Sequence, residues 1–166
     1  KDGRLDLGAL STVVNSTTTA YVVWIGRGDR TFVTTTAGTP VNGVSPTVTD
    51  VDRDGNLDVA IAASAGPTLL YGNGDGTFAS PIVVGTSIGS PQGEIQIADF
   101  DGDGLPDIAV SNVTALDTMR SLSVFLANGD GTFADGIRFD AFEHPFSFAV
   151  LDADRDGALD LAVTSG

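Results

Sequence analysis

Three nine-residue segments with the same pattern of aspartates recur along the chain at almost constant spacing. They read DVDRDGNLD at 50–58, DFDGDGLPD at 99–107 and DADRDGALD at 152–160, and a partial copy, DGRLD, occupies 2–6. The last Asp of each copy falls at 6, 58, 107 and 160, so successive copies lie 52, 49 and 53 residues apart. A period of this length constrains the fold more than composition can, because each unit has to bury its apolar face against the next.

A second landmark runs in phase with the first: WIGRGDRTF at 24–32, YGNGDGTF at 71–78 and LANGDGTF at 126–133. Aligned by unit, Arg27 matches Asn73 and Asn128, Asp29 matches Asp75 and Asp130, and Phe32 matches Phe78 and Phe133. Asn-Gly and Asp-Gly pairs accept positive φ and mark hairpin turns. The Arg27-Gly28-Asp29 tripeptide is therefore read as a drifted hairpin turn, with an adhesion-ligand role as the alternative. The Phe that follows each turn is expected to be core, packed between units.

Between the landmarks each unit parses into four short strands, in the second unit roughly 45–50, 57–64, 68–72 and 80–86. The run LDVAIAAS at 57–64 has almost no polar interruption, as a strand buried on both faces requires. Of 22 acids, 20 are Asp and two are Glu (Glu94 and Glu143), a balance suited to turns and metal ligation and not to helices. Four strands per unit with a repeated turn signature describe a β-propeller blade. The expected fold is all-β: about three four-stranded antiparallel blades over residues 1–166, with units near 1–44, 45–92 and 93–145 and the start of another at 146–166.

The aspartate loop has its own chemistry. Alternate residues on a curled loop point the same way, so Asp50, Asp52 and Asp54 should converge, with Asp58 returning from the next strand. Gly55 permits the left-handed turn that closes the curl. Carboxylates about 5 Å apart repel by some 3 kcal/mol per pair at an effective dielectric near 20, and a hard divalent cation removes that repulsion. Oxygen ligands without His or Cys select Ca²⁺ over zinc or copper. The seventh position is Arg4, Asn56, Leu105 or Ala158 in the four copies, a variety that only a backbone carbonyl ligand tolerates. The twelfth position is Ile61, Val110 or Val163, so this is not an EF-hand, which needs a bidentate Glu there. Three complete Ca²⁺ sites are expected: Asp50, Asp52, Asp54, Asn56 and Asp58; Asp99, Asp101, Asp103, Leu105 and Asp107; Asp152, Asp154, Asp156, Ala158 and Asp160. Asp2, Arg4 and Asp6 form a partial site that should hold metal poorly.

The D-x-D-x-D-G-x-x-D loop, the apolar strand after it and the in-phase NGDGTF turn resemble the FG-GAP/VCBS repeat. That repeat builds the propeller of integrin α chains and of many bacterial and fungal surface proteins. The resemblance spans nearly the whole chain and is weakest at the first turn, where Arg27 and Arg30 replace Asn and Gly. It implies a non-catalytic, calcium-stabilised propeller segment of an extracellular or cell-surface protein, for adhesion, recognition or scaffolding. Some members bind sugars between blades, so a lectin is one alternative. An accessory or structural repeat of a larger enzyme or surface filament is another.

The remaining features weigh little against this reading. The net charge is −14, with a single lysine, Lys1, which argues against nucleic acid or an anionic membrane as partner. No apolar run approaches the roughly 20 residues of a membrane span. There is no cysteine, so disulfides play no part. His144, the sole histidine, has no nucleophile arrangement beside it and is read as a loop residue. Trp24 and Tyr71 fall on third strands and are expected to pack between blades. Asn15-Ser16-Thr17 and Asn112-Val113-Thr114 are glycosylation sequons. Three blades alone would leave apolar faces and strand edges open, so further blades of the same chain or other copies are expected to cover them.

Overall fold

The computed structural model describes residues 3–12, 19–36, 43–85, 91–112, 121–140 and 145–165. His144, Glu143, Asp2 and the Asn15 sequon lie outside them.

The described residues form thirteen strands in four antiparallel sheets, and every hydrogen-bonded neighbour is also a neighbour in sequence. The first sheet joins β1 (Leu7–Thr12), β2 (Thr19–Gly26) and β3 (Phe32–Thr36). The second is four-stranded: β4 (Gly43–Thr49), β5 (Asp58–Ala63), β6 (Gly66–Leu70) and β7 (Ile82–Val83). The third repeats it with β8 (Pro91–Ala98), β9 (Asp107–Asn112), β10 (Ser121–Phe125) and β11 (Ile137–Asp140). The last pairs β12 (Pro145–Leu151) with β13 (Asp160–Ser165). The outermost strand of the second sheet is shorter than expected. Only Ile82 and Val83 pair with β6, and both are about half exposed, since an outer strand has a neighbour on one side alone.

Side-chain alternation explains how the sheets stack. From β5, Val59, Ile61 and Ala63 join Tyr21 and Val23 in one apolar cluster against the first sheet. The intervening Ala60 and Ala62 join Ile95, Ile108 and Val110 in a second cluster against the third sheet. Ala109, from the other face of β9, packs with Leu122, Val124 and Phe148 in a third cluster against the last sheet. Both β5 and β9 are buried along their whole length, which accounts for the apolar runs at 59–63 and 108–110. Stacking of this kind makes the sheets blade-like, as expected of the repeat.

First strands also meet across the seams. Thr47 Oγ1 on β4 donates to the Ile95 carbonyl on β8 at 2.8 Å. Glu94 on β8 accepts from Ser147 Oγ at 2.6 Å and from the Phe148 N–H at 3.1 Å, both on β12. Burial pushes the Glu94 carboxyl up, but these bonds and one from Gln96 outweigh it and hold the group below its ordinary value.

The aromatic expectations divide. Phe78 meets Tyr21 edge-on, with ring centroids 5.9 Å apart, across the first seam. Phe133 packs against the cluster of the second seam. Phe32 is a correction: it is 46% exposed. The equivalent residues pack onto the preceding sheet, and no sheet precedes β1 among the described residues. Trp24 is half-buried, and Tyr71 packs against the second seam. Asn112 is 3% exposed, and its amide donates to Ser121 Oγ at 3.3 Å and Ser123 Oγ at 2.7 Å.

Candidate metal sites

Each complete aspartate loop connects the first strand of a sheet to the second, and it is curled by its own side chains. Asp50 Oδ2 accepts from the Gly55 N–H at 3.0 Å, and Asp52 Oδ1 accepts from the Asp54 N–H at 3.1 Å. The third loop repeats this with Asp99 on Gly104 at 2.8 Å and Asp101 on Asp103 at 3.1 Å. In the last, Asp152 takes Gly157 and Asp154 takes Asp156, both at 3.1 Å. The backbone crosses into positive φ at the fourth position, which is Arg53 (62°), Gly102 (79°) and Arg155 (65°).

These curls bring three carboxylates of each loop together: Asp50, Asp52 and Asp58; Asp99, Asp101 and Asp107; Asp152, Asp154 and Asp160. In each group the three contribute one oxygen apiece, all within 4.8 Å of one another. The fifth-position acids do not join them. Asp54 Oδ1 accepts from the Asn56 N–H at 2.6 Å and its Oδ2 from Asn56 Nδ2 at 2.8 Å. Asp103 accepts from Leu105 N–H at 2.7 Å and Asp156 from Ala158 N–H at 2.8 Å. The N–H two residues on is the usual partner of an Asp carboxylate in a turn, and Asp52 and Asp101 make that bond within the trios as well.

The ninth-position Asp has a second task that the repeat pattern does not announce. Asp58 Oδ2 accepts from Val51 N–H at 2.7 Å, at the head of its own loop, while Oδ1 accepts from Gly72 N–H at 2.8 Å, at the mouth of the next hairpin turn. Asp107 does the same with Phe100 and Ala127, both at 2.8 Å. In the partial copy, Asp6 keeps the hairpin bond to Gly26 N–H at 2.8 Å, and Arg4 lies against Gly28. The available signal was that this Asp is the one acid in each loop followed by a run of apolar residues. Asp58 and Asp107 are 1% and 0% exposed. Burial pushes both carboxyls up in spite of those N–H bonds, and neighbouring acids add to it: Asp52 for Asp58, and Asp101 and Asp103 for Asp107.

The residues fit a hard cation. Asp50 Oδ1 is a buried oxygen with no hydrogen-bond partner, in a cluster of carboxylates whose buried member resists carrying its charge. A metal ion among Asp50, Asp52 and Asp58 would satisfy the orphan oxygen and offset the repulsion. The Asp clusters of the other two loops can hold an ion in the same way.

The turns complete the repeat. The Arg27 N–H donates to the Thr31 carbonyl at 3.0 Å, as Asn73 does to Thr77 at 3.0 Å and Asn128 to Thr132 at 2.9 Å. Asp29, Asp75 and Asp130 each accept from the Thr two residues on, and those Thr hydroxyl and N–H bonds hold all three carboxyls below their ordinary value. The same loop and turn bonds thus recur from unit to unit. Residues 50–110 match the FG-GAP-like repeat. The matched stretch runs from the first Asp of one loop, through the NGDGTF turn and the whole of the next loop, into β9. Within it lie two of the three FG-GAP-like loops, and the sequence resemblance is borne out there.

A solved structure described as the basis of specific recognition of non-reducing terminal N-acetylglucosamine by an Agrocybe aegerita lectin is similar in fold. The two share 20% identity with a TM-score of 0.58, over 94% of this chain and 46% of that one. This chain thus spans about half the length of that solved protein. At such identity the likeness carries the fold alone, a β-propeller assembled from blades like those of the FG-GAP-like stretch. No curated protein matches the chain.

Proposed function

We propose that this chain is a calcium-stabilised, non-catalytic β-propeller repeat segment of an extracellular or cell-surface protein, used for recognition, adhesion or scaffolding. The observation that carries the proposal is the buried, unpartnered Asp50 Oδ1 in the trio Asp50, Asp52 and Asp58, a carboxylate trio that recurs at almost constant spacing. All the donors are oxygen, which favours Ca²⁺. Calcium here acts on rigidity: each ion that binds only the folded chain adds RT ln(1 + [L]/Kd) to stability. The partners are proteins or glycans, in keeping with a net charge of −14. Leu7 and Phe32, 56% and 46% exposed on the same face of the first sheet, suit packing against a further blade or another copy. The test is a thermal melt with calcium against chelator. Calcium at millimolar level should raise Tm by several degrees, about 4–8 °C per kcal/mol for a small domain and less for this length. An unchanged Tm removes the calcium assignment.

A second reading is carbohydrate binding. It is favoured by a cavity of about 250 Å³ at the seam of the first two sheets, walled by Tyr21 and Phe78 with Asp6, Asn56 and Thr77 as polar groups. The fold neighbour's described recognition of N-acetylglucosamine makes that sugar the first probe. Titration calorimetry with N-acetylglucosamine, repeated on Phe78→Ala, decides it: heat that vanishes in the variant supports the site.

A further inference from the structure

Asp58 joins two segments that meet again elsewhere. Through its bonds to Val51 and Gly72 it ties the aspartate loop to the turn that Gly72 opens. Asn56 and Leu57 of that loop, with Gly72, Gly74 and Phe78 of that turn, form the second sheet's wall of the 250 Å³ cavity. The two segments touch, for a side chain added at Gly74 would stand 2.5 Å from Asn56 Oδ1. Facing them from the first sheet is Tyr21, 3% exposed, whose hydroxyl lies over Gly8 and has no hydrogen-bond partner among the described residues.

We infer that the cation loop at 50–58 builds this cavity, because one carboxylate, Asp58, carries both segments of its wall. The inference rests on the proposed cation site. Asp50, Asp52 and Asp58 repel one another at this spacing, and that repulsion works against the placement Asp58 needs to receive Gly72 N–H. A cation among them removes the repulsion, fixes Asp58 and so fixes the turn. Whatever occupies the cavity then binds more tightly with the cation present, and by linkage the occupant tightens the cation equally. The third sheet supplies an internal replicate: Asp107 ties its loop to the turn opened by Ala127, and Leu105, Gly129 and Phe133 line a smaller cavity of about 70 Å³.

Hydrogen exchange on the 166-residue chain tests this, with calcium added to chelated protein. Wild type is compared with Asp50→Asn, which weakens the ion site and leaves Asp58 with both its N–H bonds. In wild type, calcium should slow exchange of 50–58 and 72–78 together, by about tenfold with one midpoint. In Asp50→Asn both responses should go, while 99–107 and 127–133 keep theirs. Protection of 50–58 without 72–78 overturns the coupling and leaves the cation site standing. No protection of 50–58 in wild type overturns the site itself, and the coupling with it. The smaller cavity also takes Val51, Asp52 and Arg53 on its other side, so loss of the 127–133 response in Asp50→Asn shows that the effect is not confined to the turn Asp58 holds and overturns the coupling. Asp99→Asn gives the mirror image, losing 127–133 and keeping 72–78, and carries the comparison should Asp50→Asn fail to fold.

Discussion

The loops at 50–58 and 152–160 share a sequence pattern and a set of internal bonds, and they differ in everything outside the nonapeptide. Both curl through the same bonds from the fifth- and sixth-position N–H groups to the third- and first-position carboxylates. Both pass through positive φ at an arginine. Yet Asp58 is 1% exposed and receives N–H groups from two segments, whereas Asp160 is exposed and accepts from Ala153 N–H at 2.8 Å. No described hairpin follows β13 to supply the other donor. The nonapeptide therefore provides the oxygens and their curl, while the following hairpin provides burial and the second anchor. The carboxylate cluster is local and its anchoring is tertiary.

Removing the shared carboxylate gives the largest contrast. Asp58→Ala strips the acceptor from Val51 and Gly72 N–H inside a buried site. Each buried donor left unpaired costs about 1–3 kcal/mol, so the variant, with two such donors, should lose about 2–6 kcal/mol in urea denaturation. Asp160→Ala, exposed with one bond, should lose about 1 kcal/mol or less. Equal losses would break the distinction between local and tertiary anchoring.

This contrast also marks how far the sequence could be read. The blades were legible because β5 and β9 are apolar on both faces, a pattern that only stacked sheets use. The grouping of Asp50, Asp52 and Asp58 was legible from curl and spacing. The fifth position was not: Asp54 lies outside the trio although it makes the same bond to the N–H two residues on as Asp52, which lies inside it, so spacing and turn bonds alone do not sort the two. The clamp on the next hairpin was hidden as well: its partner lies 14 residues on from Asp58 and 20 on from Asp107, so no fixed offset reveals it. Phe32 and Phe78 occupy one motif position, and their different burial depends on what lies in front of each blade.

Calcium affinity should follow the same division with a smaller effect. A carboxylate that is buried and anchored presents its charge at lower effective dielectric than an exposed one, and the loop loses less freedom on binding. Titration calorimetry on variants that retain one site each should show loop 50–58 binding about tenfold tighter than loop 152–160. Affinities equal within twofold would mean that the nonapeptide alone sets the site.

A purely local term should be blind to the comparison. Arg53 and Arg155 hold φ of 62° and 65° where the third loop uses Gly102 at 79°. A side chain in that region costs about 1 kcal/mol, partly offset by the greater freedom glycine has when unfolded. Arg53→Gly and Arg155→Gly should each stabilise by about 0.5 kcal/mol, and by the same amount. Unequal gains in calorimetric Tm would show that position four also senses its tertiary surroundings.

The smallest effect concerns the strand that leads into the exposed loop. Glu94 ties β12 to the third sheet through Ser147 and Phe148, and burial, outweighed by those bonds, leaves its carboxyl below the ordinary value. A group lowered in the folded state contributes stability above its unfolded value and loses it as pH falls through the folded one. The wild-type advantage over Glu94→Gln should thus be full at neutral pH and fade in the acid carboxylate range. Because Glu94 is part-exposed and screened, the advantage should be about 0.5 kcal/mol. In hydrogen exchange it should fall mainly on β12 and loop 152–160, leaving 50–58 unchanged. Exchange that quickens equally in both loops would show that the exposed loop already shares the anchoring of the buried one.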